Sequence, residues 1–382
     1  MSEWKEYLFK EVAWLNYGKS LPERDRKDGI YPVYGSGGIV GYHEKPYVKS
    51  KGLVIGRKGS VGTVYLSKKP FYPIDTVYYI DEIDKHHQFE FFYYYVQKLG
   101  LENFNNDAAV PGLNRNLVHK LKIKLPPLPT QRRIAAILSA YDELIETNNC
   151  RIKILEQMAE QIYKEWFVRI RFPGHEKAVF VKGVPKGWGW KKVEEIFKTS
   201  SGGTPSRQKE QEYFNGKINW IKTGELKDSF ILESEEKITE SGLKNSSAKL
   251  FPPFTLLMAM YGVNIGQLGI SVQPSSANQA ICVFTPKQSN DYSLYYSFFY
   301  FKSIRSHLFN ISMGAAQQNL SQDIIKRLNF FHPDSNILLK FDKIQKPIFD
   351  LKLKLELQNQ NLKQTRDLLL PRLISGKLRV EN

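Results

Sequence analysis

Apolar residues recur at helical spacing in two long stretches of the chain, one central and one C-terminal. In the central stretch their steps alternate between four and three, the heptad spacing of a coiled-coil seam. The seam consists of Ile134, Leu138, Tyr141, Ile145, Asn148, Ile152, Leu155, Ala159, Ile162 and Trp166. This spacing predicts a helix over residues 134–166. Thr130 is the predicted N-cap, because the run Pro126-Pro127-Leu128-Pro129 stops a helix just before it.

The C-terminal stretch has a second seam with the same period. Its apolar residues recur every seventh position, at Phe341, Ile348, Leu355, Leu362 and Leu369. Ile344 and Leu351 fall between them, and Pro347 predicts a kink or the start of a new helix. Because the two seams are similar in length, we expect the two helices to pair with each other.

Asn148 is a polar residue in the otherwise apolar central seam. One interpretation is that it fixes the register of the pair or bonds a partner helix. The other is that the seam is open to water at this point. The sequence leaves both open.

Short β-type runs between turn residues fill the parts of the chain outside these helices. Residues 52–56 and 62–66 are predicted strands, joined by the turn Arg57-Lys58-Gly59-Ser60. Residues 256–260 and 266–271 offer strands in the corresponding place further along. Aromatic-rich stretches follow in both regions, at 89–96 and 292–301, and indicate either helices or buried strands.

The chain also repeats itself at an offset of 207 residues. Leu113 then falls on Leu320, and Val118 falls on Ile325. Each copy leads into one of the two helical stretches. A period this long is typical of two related modules rather than a solenoid, and two similar modules suit a partner that itself has two parts.

Charge narrows the class of partner. The 382 residues carry 55 Lys and Arg against 39 Asp and Glu, a net charge of +16. The excess is spread over both modules, which favours nucleic acid or an acidic membrane face. A membrane role is not expected, since there is no apolar run of about 18 residues and no signal peptide at the start. Cys150 and Cys282 are interpreted as reduced thiols of a cytoplasmic protein.

Candidate DNA contacts are the cations, amides and hydroxyls in the loops beside the strands. Arg and Lys can bond guanine, and Asn and Gln can bond adenine. The candidate DNA-binding residues are Ser36, Arg57, Lys58, Arg115, Thr204, Ser206, Arg207, Lys222, Tyr261, Asn264, Gln317 and Gln318. For each of them the alternative is a solvated or phosphate-contacting side chain, because most contacts go to the DNA backbone.

Motifs of catalysis are missing from the sequence. There is no Gly-x-x-x-x-Gly-Lys-Ser/Thr phosphate loop and no Asn/Asp-Pro-Pro-Tyr/Phe tetrapeptide of amino-methyltransferases. Glu225-Leu226-Lys227 matches part of a nuclease-like carboxylate–lysine set, but that triplet is common by chance. We therefore expect no catalytic residues, no metal site and no cofactor.

Three runs of residues match conserved regions of one protein family. They are the run from Pro126 to Leu138 with Trp166-Phe167, the run from Arg366 to Leu378, and the run Gly202-Gly203-Thr204-Pro205-Ser206-Arg207. In that order, they resemble the central conserved region, the distal conserved region and the opening of many target-recognition domains in the specificity subunits of type I restriction-modification systems.

The resemblance implies a non-catalytic DNA reader. Two recognition domains would each read one half of a bipartite double-stranded DNA site, and an antiparallel coiled coil would separate them and dock two methyltransferase subunits. Restriction subunits would join that complex. S-adenosylmethionine, ATP and magnesium would then bind those partners.

The predicted architecture is two α/β (α+β) recognition domains joined by two long helices in an antiparallel coiled coil, with a pseudo-two-fold repeat. The predicted boundaries are 1–125 and 173–333 for the recognition domains, and 126–172 and 334–382 for the helical spacers. Two other functions remain as alternatives: a stand-alone DNA-modifying enzyme with a cryptic site, and a coiled-coil scaffold. Assays of methyl transfer and cleavage test the first, and salt-dependent DNA binding tests the second.

Overall fold

A computed structural model of the chain describes residues 4–104, 112–288, 292–313 and 319–380. The chain divides into two compact units. Unit 1 comprises Met1–Thr147 and Asn359–Asn382, and unit 2 comprises Asn148–Gln358. The division falls within both long helices, so each of these helices contributes residues to each unit.

The helices and strands are numbered along the chain. The helices are α1 (Phe9–Val12), α2 (Phe89–Val96), α3 (Arg115–His119), α4 (Leu128–Tyr163), α5 (Val193–Ile196), α6 (Glu210–Tyr213), α7 (Glu240–Lys244), α8 (Leu294–Ser303), α9 (Arg305–Met313), α10 (Gln322–Arg327) and α11 (Ser335–Ile374). The strands of unit 1 are β1 (Lys5–Leu8), β2 (Asn16–Tyr17), β3 (Tyr31–Gly35), β4 (Gly38–His43), β5 (Gly52–Gly56), β6 (Val64–Ser67), β7 (Tyr72–Pro73), β8 (Val77–Ile80) and β9 (Lys122–Leu125). The strands of unit 2 are β10 (Phe180–Val181), β11 (Val184–Pro185), β12 (Gly189–Lys192), β13 (Phe197–Ser201), β14 (Phe214–Ile221), β15 (Ser229–Ile231), β16 (Glu236–Ile238), β17 (Leu256–Ala259), β18 (Leu268–Ser271), β19 (Ser275–Ala277), β20 (Ile281–Pro286) and β21 (Asn329–His332). Within the described ranges, no helix is long and apolar enough to cross a membrane.

Unit 1 is built on a four-stranded sheet in the order β2-β8-β5-β6, beside a three-stranded sheet in the order β4-β3-β7. The central strand β5 is buried along its whole length. Leu53 and Ile55 pack into the core that contains α1 and α2, whereas Val54 packs with Tyr34 and Phe71. Burial on both faces explains why this strand has a continuous apolar run instead of an alternating pattern.

Unit 2 repeats this plan. Its large sheet has the order β13-β20-β17-β18-β15, and its small sheet has the order β16-β14-β19. In both units the middle strand of the small sheet pairs antiparallel with one neighbour and parallel with the other. Both aromatic-rich stretches are helices, α2 and α8, which decides between the two interpretations left by the sequence.

The predicted offset of 207 residues is present in the structure. Helices α3 and α10 begin at that offset, and their N-caps, Asn114 and Ser321, each accept a hydrogen bond from the first turn. Strands β9 and β21 follow at the same offset, and each pairs antiparallel with a strand near the start of its module, β1 or β12. The repeat is therefore structural as well as sequential.

Helix α4 begins earlier than the sequence predicted. Its first residue is Leu128, so Thr130 lies inside the first turn and the predicted N-cap is wrong. Pro129 is tolerated there because the first turn does not use its backbone N–H groups within the helix. At the other end, the helix passes into a π-helical turn at Lys164–Val168.

Helix α11 is one continuous helix. Asp334 precedes it, and its side chain accepts a hydrogen bond from the N–H group of Asn336 at 2.9 Å. The helix passes through Pro347, so the predicted start of a new helix there is wrong. Pro347 is exposed, and water can therefore solvate the carbonyl group that its missing N–H leaves without a helical bond.

The two long helices run antiparallel within each unit. In unit 1, Arg366 forms an ion pair with Asp142. In unit 2, Asn148 Nδ2 donates to Gln358 Oε1 at 3.2 Å, and Gln345 Nε2 donates to the carbonyl group of Ala159 at 3.0 Å. Asn148 is only 1% exposed. It therefore bonds the partner helix, and the seam is not open to water there.

The companion positions of the second seam differ from the prediction. Ile344 and Leu351 are 40% and 47% exposed, and thus lie outside the seam. The buried companions are one residue further on, at Gln345, Lys352 and Asn359. The apolar pattern missed them because this second stripe is polar. The remaining predicted pairing residues are buried or half-buried: Ile134, Leu138, Tyr141, Ile145, Leu155, Ile348, Leu355, Leu362 and Leu369.

Candidate nucleic-acid interface

Three of the predicted DNA-binding residues line one open cleft of about 470 Å³ in unit 1, which we call the unit 1 cleft. The segment at the end of β5 and the turn before α3 form much of this cleft. The N–H group of Leu113 donates to the carbonyl group of Arg57 at 2.9 Å, and the two segments form a bridge between Lys58 and Gly112. The lining residues are Tyr17, Arg57, Lys58, Tyr78, Gly112, Leu113, Asn114, Arg115 and Asn116.

Two guanidinium groups in the cleft lie over aromatic rings. The Arg57 guanidinium lies 5.0 Å from the centre of the Tyr17 ring and 5.7 Å from that of Tyr78. The Arg115 guanidinium lies 4.6 Å from the centre of the same Tyr17 ring and 5.8 Å from that of Trp14. Tyr17 therefore contacts both cations. Such a cation–π contact attracts a guanidinium group without using its hydrogen-bond donors.

The cations of the cleft keep most of their donors available. Arg57 Nη1 donates to the carbonyl group of Asp75 at 3.2 Å. Among the described residues, none that lines the cleft is acidic, and neither Arg57 nor Arg115 forms an ion pair. Arg115 Nε is buried and has no hydrogen-bond partner in the described part of the chain. The cleft therefore presents cations without carboxylate partners among its described lining residues, which suits a ligand that supplies acceptors.

Unit 2 has an equivalent position. The N–H group of Leu320 donates to the carbonyl group of Met260 at 2.9 Å, as Leu113 does to Arg57 in unit 1. Tyr261 forms a bridge with Asn319, as Lys58 does with Gly112. The loop from Tyr261 also carries Asn264, and Tyr261 is 40% exposed. By this register Met260 stands in place of Arg57.

The predicted cations of unit 2 are paired instead. Arg207 and Lys222 both bind Glu236, at 2.5 Å and 3.1 Å. Lys222 also binds Glu235 at 3.0 Å. Burial alone would raise the pKa of Glu236, but the bonds from Arg207 and Lys222 lower it below its ordinary value. These cations therefore form a local network that already balances their charge.

The remaining predicted residues lie in loops. The carbonyl group of Ser36 accepts a hydrogen bond from Thr63 Oγ1 at 2.7 Å, beside the hairpin that follows β5. Thr204 is exposed and bonds the side chain of Gln279, and the exposed Ser206 precedes the turn that contains Arg207. Gln317 and Gln318 lie outside the described residues.

Sequence reasoning missed the aromatic residues of the unit 1 cleft, Tyr17 and Tyr78, and the neighbouring Trp14. All three are far from Arg57 and Arg115 along the chain, and no spacing rule joins them. It also missed the buried polar stripe of α11. A signal for that stripe exists, because Gln345, Lys352, Asn359 and Arg366 recur every seventh residue.

Glu225 of the nuclease-like triplet has a structural role. The Glu225 carboxylate accepts hydrogen bonds from the N–H groups of Lys222 and Glu235, each at 2.6 Å. Asp228, the next carboxylate, binds Arg305, with Arg305 Nη1 at 2.8 Å. Across the described ranges, no three His, Cys, Asp or Glu side chains converge as metal ligands would.

Comparisons with known proteins agree with this architecture. The family model of the type I restriction modification DNA specificity domain matches residues 1–157 and 185–366. The MjaIX type I restriction enzyme specificity subunit of Methanocaldococcus jannaschii is 26% identical over 396 residues, which cover 99% of this chain and 89% of the relative. The HindI specificity subunit of Haemophilus influenzae is 23% identical over 336 residues, 72% of each chain.

A solved structure has the same fold. The S subunit of a type I restriction-modification system from M. genitalium aligns with a TM-score of 0.67 over 97% of this chain and 96% of that chain. The sequence identity is 17%, so this likeness concerns the fold alone.

Proposed function

Because the chain belongs to the family of type I restriction-modification DNA specificity proteins, we propose that each of its units reads one half of a bipartite double-stranded DNA site. The protein is a specificity subunit that recognises DNA sequence, and the catalytic activities of such a system lie in other subunits. Its basic charge of +16 suits a ligand with a dense phosphate backbone.

The observation that supports two readers is the repeated position at the end of β5 and of β17. Both units place a loop residue beside the turn that precedes a short capped helix, through the same backbone hydrogen bond. The side chains at that position differ between the units. Two similar frames with different side chains suit two half-sequences that differ from each other.

Exchange of one domain tests this proposal. Replacing residues 173–333 with the matching domain of a relative should change one half of the recognised sequence and leave the other half unchanged. The recognised sequences would be read from the methylated sites of a host that carries the complete system. A change in both halves at once would contradict the two-reader proposal, and the parental chain in the same host is the control.

We also propose that the paired helices set the spacing of the half-sites and dock two methyltransferase subunits, which restriction subunits then join. Exposed apolar side chains on the helices support docking. In unit 2 these include Ile154 and Met158 on α4, 55% and 49% exposed, and Ile344 and Leu351 on α11. Ile344 and Leu351 are seven residues apart and therefore lie on one face of the helix.

Substitution of that face tests the docking proposal. Ile344→Ser with Leu351→Ser should reduce co-purification of the methyltransferase subunit while leaving DNA binding by the chain itself in place. The matched control is Ile348→Ser, since Ile348 lies half-buried in the seam and is expected to alter stability instead. Undiminished co-purification of the double variant would place the docking surface elsewhere.

S-adenosylmethionine, ATP and magnesium would bind the partner subunits, and no residue of this chain is assigned to them. We further propose a cytoplasmic location, since cellular DNA is the ligand.

A further inference from the structure

We propose that Arg57 and Arg115 in the unit 1 cleft read a guanine in the half-site of unit 1. This inference rests on the proposed function, because it needs unit 1 to contact base edges. It assigns base readout to two residues and leaves Lys58, at the rim of the cleft, as a phosphate contact.

The internal repeat identifies side chains of the cleft that differ between the two units. Two units that read different half-sequences should differ at the positions that contact bases. Arg57 corresponds to Met260, which is only 2% exposed, through the shared backbone hydrogen bond. Arg115 corresponds to Gln322, because each is the first residue of its helix after a side-chain cap. Neither arginine is repeated, as expected of residues that read a sequence.

Aromatic contacts hold the two guanidinium groups in the cleft. A guanine edge presents O6 and N7, and an arginine fork bonds both at once. The rings of Tyr17, Tyr78 and Trp14 attract the guanidinium groups at centroid distances of 4.6–5.8 Å and take up none of their hydrogen-bond donors. The lack of carboxylates among the described lining residues leaves the outer donors for the base.

Hydrogen bonds within the cleft hold the reading residues in place. Tyr78 Oη donates to the carbonyl group of Leu113 at 3.1 Å, which holds the ring against the turn before α3. Asn114 Oδ1 accepts the N–H groups of Asn116 and Leu117, and this cap fixes the backbone that carries Arg115. The reader is therefore positioned before DNA arrives.

The residue at the equivalent position of unit 2 supplies the informative substitution. Arg115→Gln places the side chain of Gln322 into unit 1, and glutamine prefers adenine where arginine prefers guanine. The experiment selects bound duplexes from a random pool with the full-length chain and sequences them. The wild-type chain should enrich two half-sequences, and the one assigned to unit 1 should contain a guanine that the Arg115→Gln variant no longer selects.

The affinity of the chain for chosen duplexes then measures how much the guanine contact contributes to binding. Replacing that guanine by 7-deazaguanine removes N7 and should weaken binding by the wild-type chain about tenfold, within the range of one bidentate contact. The same replacement at a guanine in the unread spacer between the half-sites is the control and should have no effect. The variant should lose its discrimination at that one position, whereas Lys58→Gln should weaken binding to all sequences alike.

Four results would overturn the inference. They are a unit 1 half-site without a guanine, an unchanged affinity for the 7-deaza duplex, a variant whose sequence preference is unaltered, and an affinity loss for Arg115→Gln that is equal for all sequences. An equal affinity loss for all sequences would show that Arg115 contacts a phosphate group of the DNA backbone instead of a base. The 7-deaza measurement needs no substitution in the protein, so a variant that fails to fold does not remove the test. If the wild-type chain enriches no two-part sequence at all, the proposed function itself fails.

Discussion

At the scale of single residues, burial shifts the pKa of the Asp342 carboxyl group in unit 2. Asp342 lies half-buried on α11 and accepts a hydrogen bond from Ser293 Oγ. Burial raises the pKa of Asp342 from 3.8 to about 6. The folded chain thus keeps this proton at pH values where the unfolded chain has lost it. The associated stability is complete below about pH 4 and is lost as the pH rises through 6.

Asp342→Asn should remove this dependence. Relative to wild type, the free energy of unfolding of the variant should rise by up to about 3 kcal/mol between pH 4 and pH 7, since one pKa unit is worth about 1.4 kcal/mol. Urea denaturation at several pH values measures it. Asp350→Asn is the matched control, because Asp350 is exposed and pairs with Lys346. Parallel pH profiles for wild type and Asp342→Asn would contradict the prediction.

The pairing of cations separates two lysines that look alike in the sequence. Lys58 is exposed at the rim of the unit 1 cleft, whereas Lys222 binds Glu235 and Glu236. Lys58→Gln should lower the slope of log K against log salt by about one unit, as expected for one phosphate contact. Lys222→Gln should change it little, because its charge is already balanced. Titrations of DNA binding over a range of salt concentrations measure both slopes, and equal slope changes would refute the distinction.

Residue type alone could predict Arg57, Lys58 and Arg115 as candidates. It could not predict that they share a cleft, or that Arg207 and Lys222 share a carboxylate. Both facts depend on contacts between positions that no sequence spacing relates.

At the scale of elements, the buried Lys352 is the clearest polar anchor of the helix pair in unit 2. It binds Glu156 at 2.9 Å and Glu356 at 3.4 Å, and donates to Ser229 Oγ at 2.7 Å. Lys352 is 4% exposed. Burial, only partly offset by Lys352, raises the pKa of Glu356.

Lys352→Met should lower the free energy of unfolding by about 3 kcal/mol, because it leaves buried Glu356 without its cation. Adding Glu356→Met should restore most of that loss, since the uncompensated charge is then gone. Urea denaturation compares the variants. Lys346→Met is the control, because its ion pair with Asp350 is exposed and worth about 1 kcal/mol or less. A Lys352→Met variant as stable as this control would contradict the prediction.

The sequence predicted the existence and pairing of both long helices, but only one side of the second seam. Apolar periodicity detects residues that avoid water, and Gln345 and Lys352 are buried for a different reason. Their polar groups find partners on α4, which only the packed pair provides. The start of α4 was missed because the prolines that break a helix interior are tolerated in its first turn.

At the scale of the whole molecule, lengthening the two long helices tests whether they set the spacing between the two half-sites. Helix α4 has 36 residues, which at about 1.5 Å per residue span roughly 54 Å. A heptad inserted after Asn149 and another before Leu357 keep both seams in phase and leave the bond between Asn148 and Gln358 intact. Each added heptad lengthens its helix by about 10 Å, or about three base pairs of DNA.

If the helices set the spacing, the recognised site should keep both half-sequences and gain about three base pairs of unread spacer. Sequencing the methylated sites of a host with the altered chain measures the spacer. A single heptad added to α4 alone is the control and should disturb pairing. Methylation at the original spacing in a host that carries the doubly altered chain would refute the proposal that the helices set the spacing.

The repeat was the most predictable feature at this scale, because it appears directly as similar residues 207 positions apart. The extra strand β15 of unit 2 was not predictable from it. That strand joins the sheet by parallel pairing with β18, a long-range contact without an equivalent in the four-stranded sheet of unit 1.

The split of unit 1 between the two ends of the chain has a consequence for synthesis on the ribosome. Leu370, Leu373 and Ile374 complete a core that also contains Phe9 and Leu138. All the residues of unit 2 emerge before these three do, so the core of the nascent N-terminal module stays incomplete until they are translated. Unit 2 can therefore fold first, although synthesis of unit 1 begins first, and a premature stop after Gln358 would release a chain that lacks part of the core of unit 1.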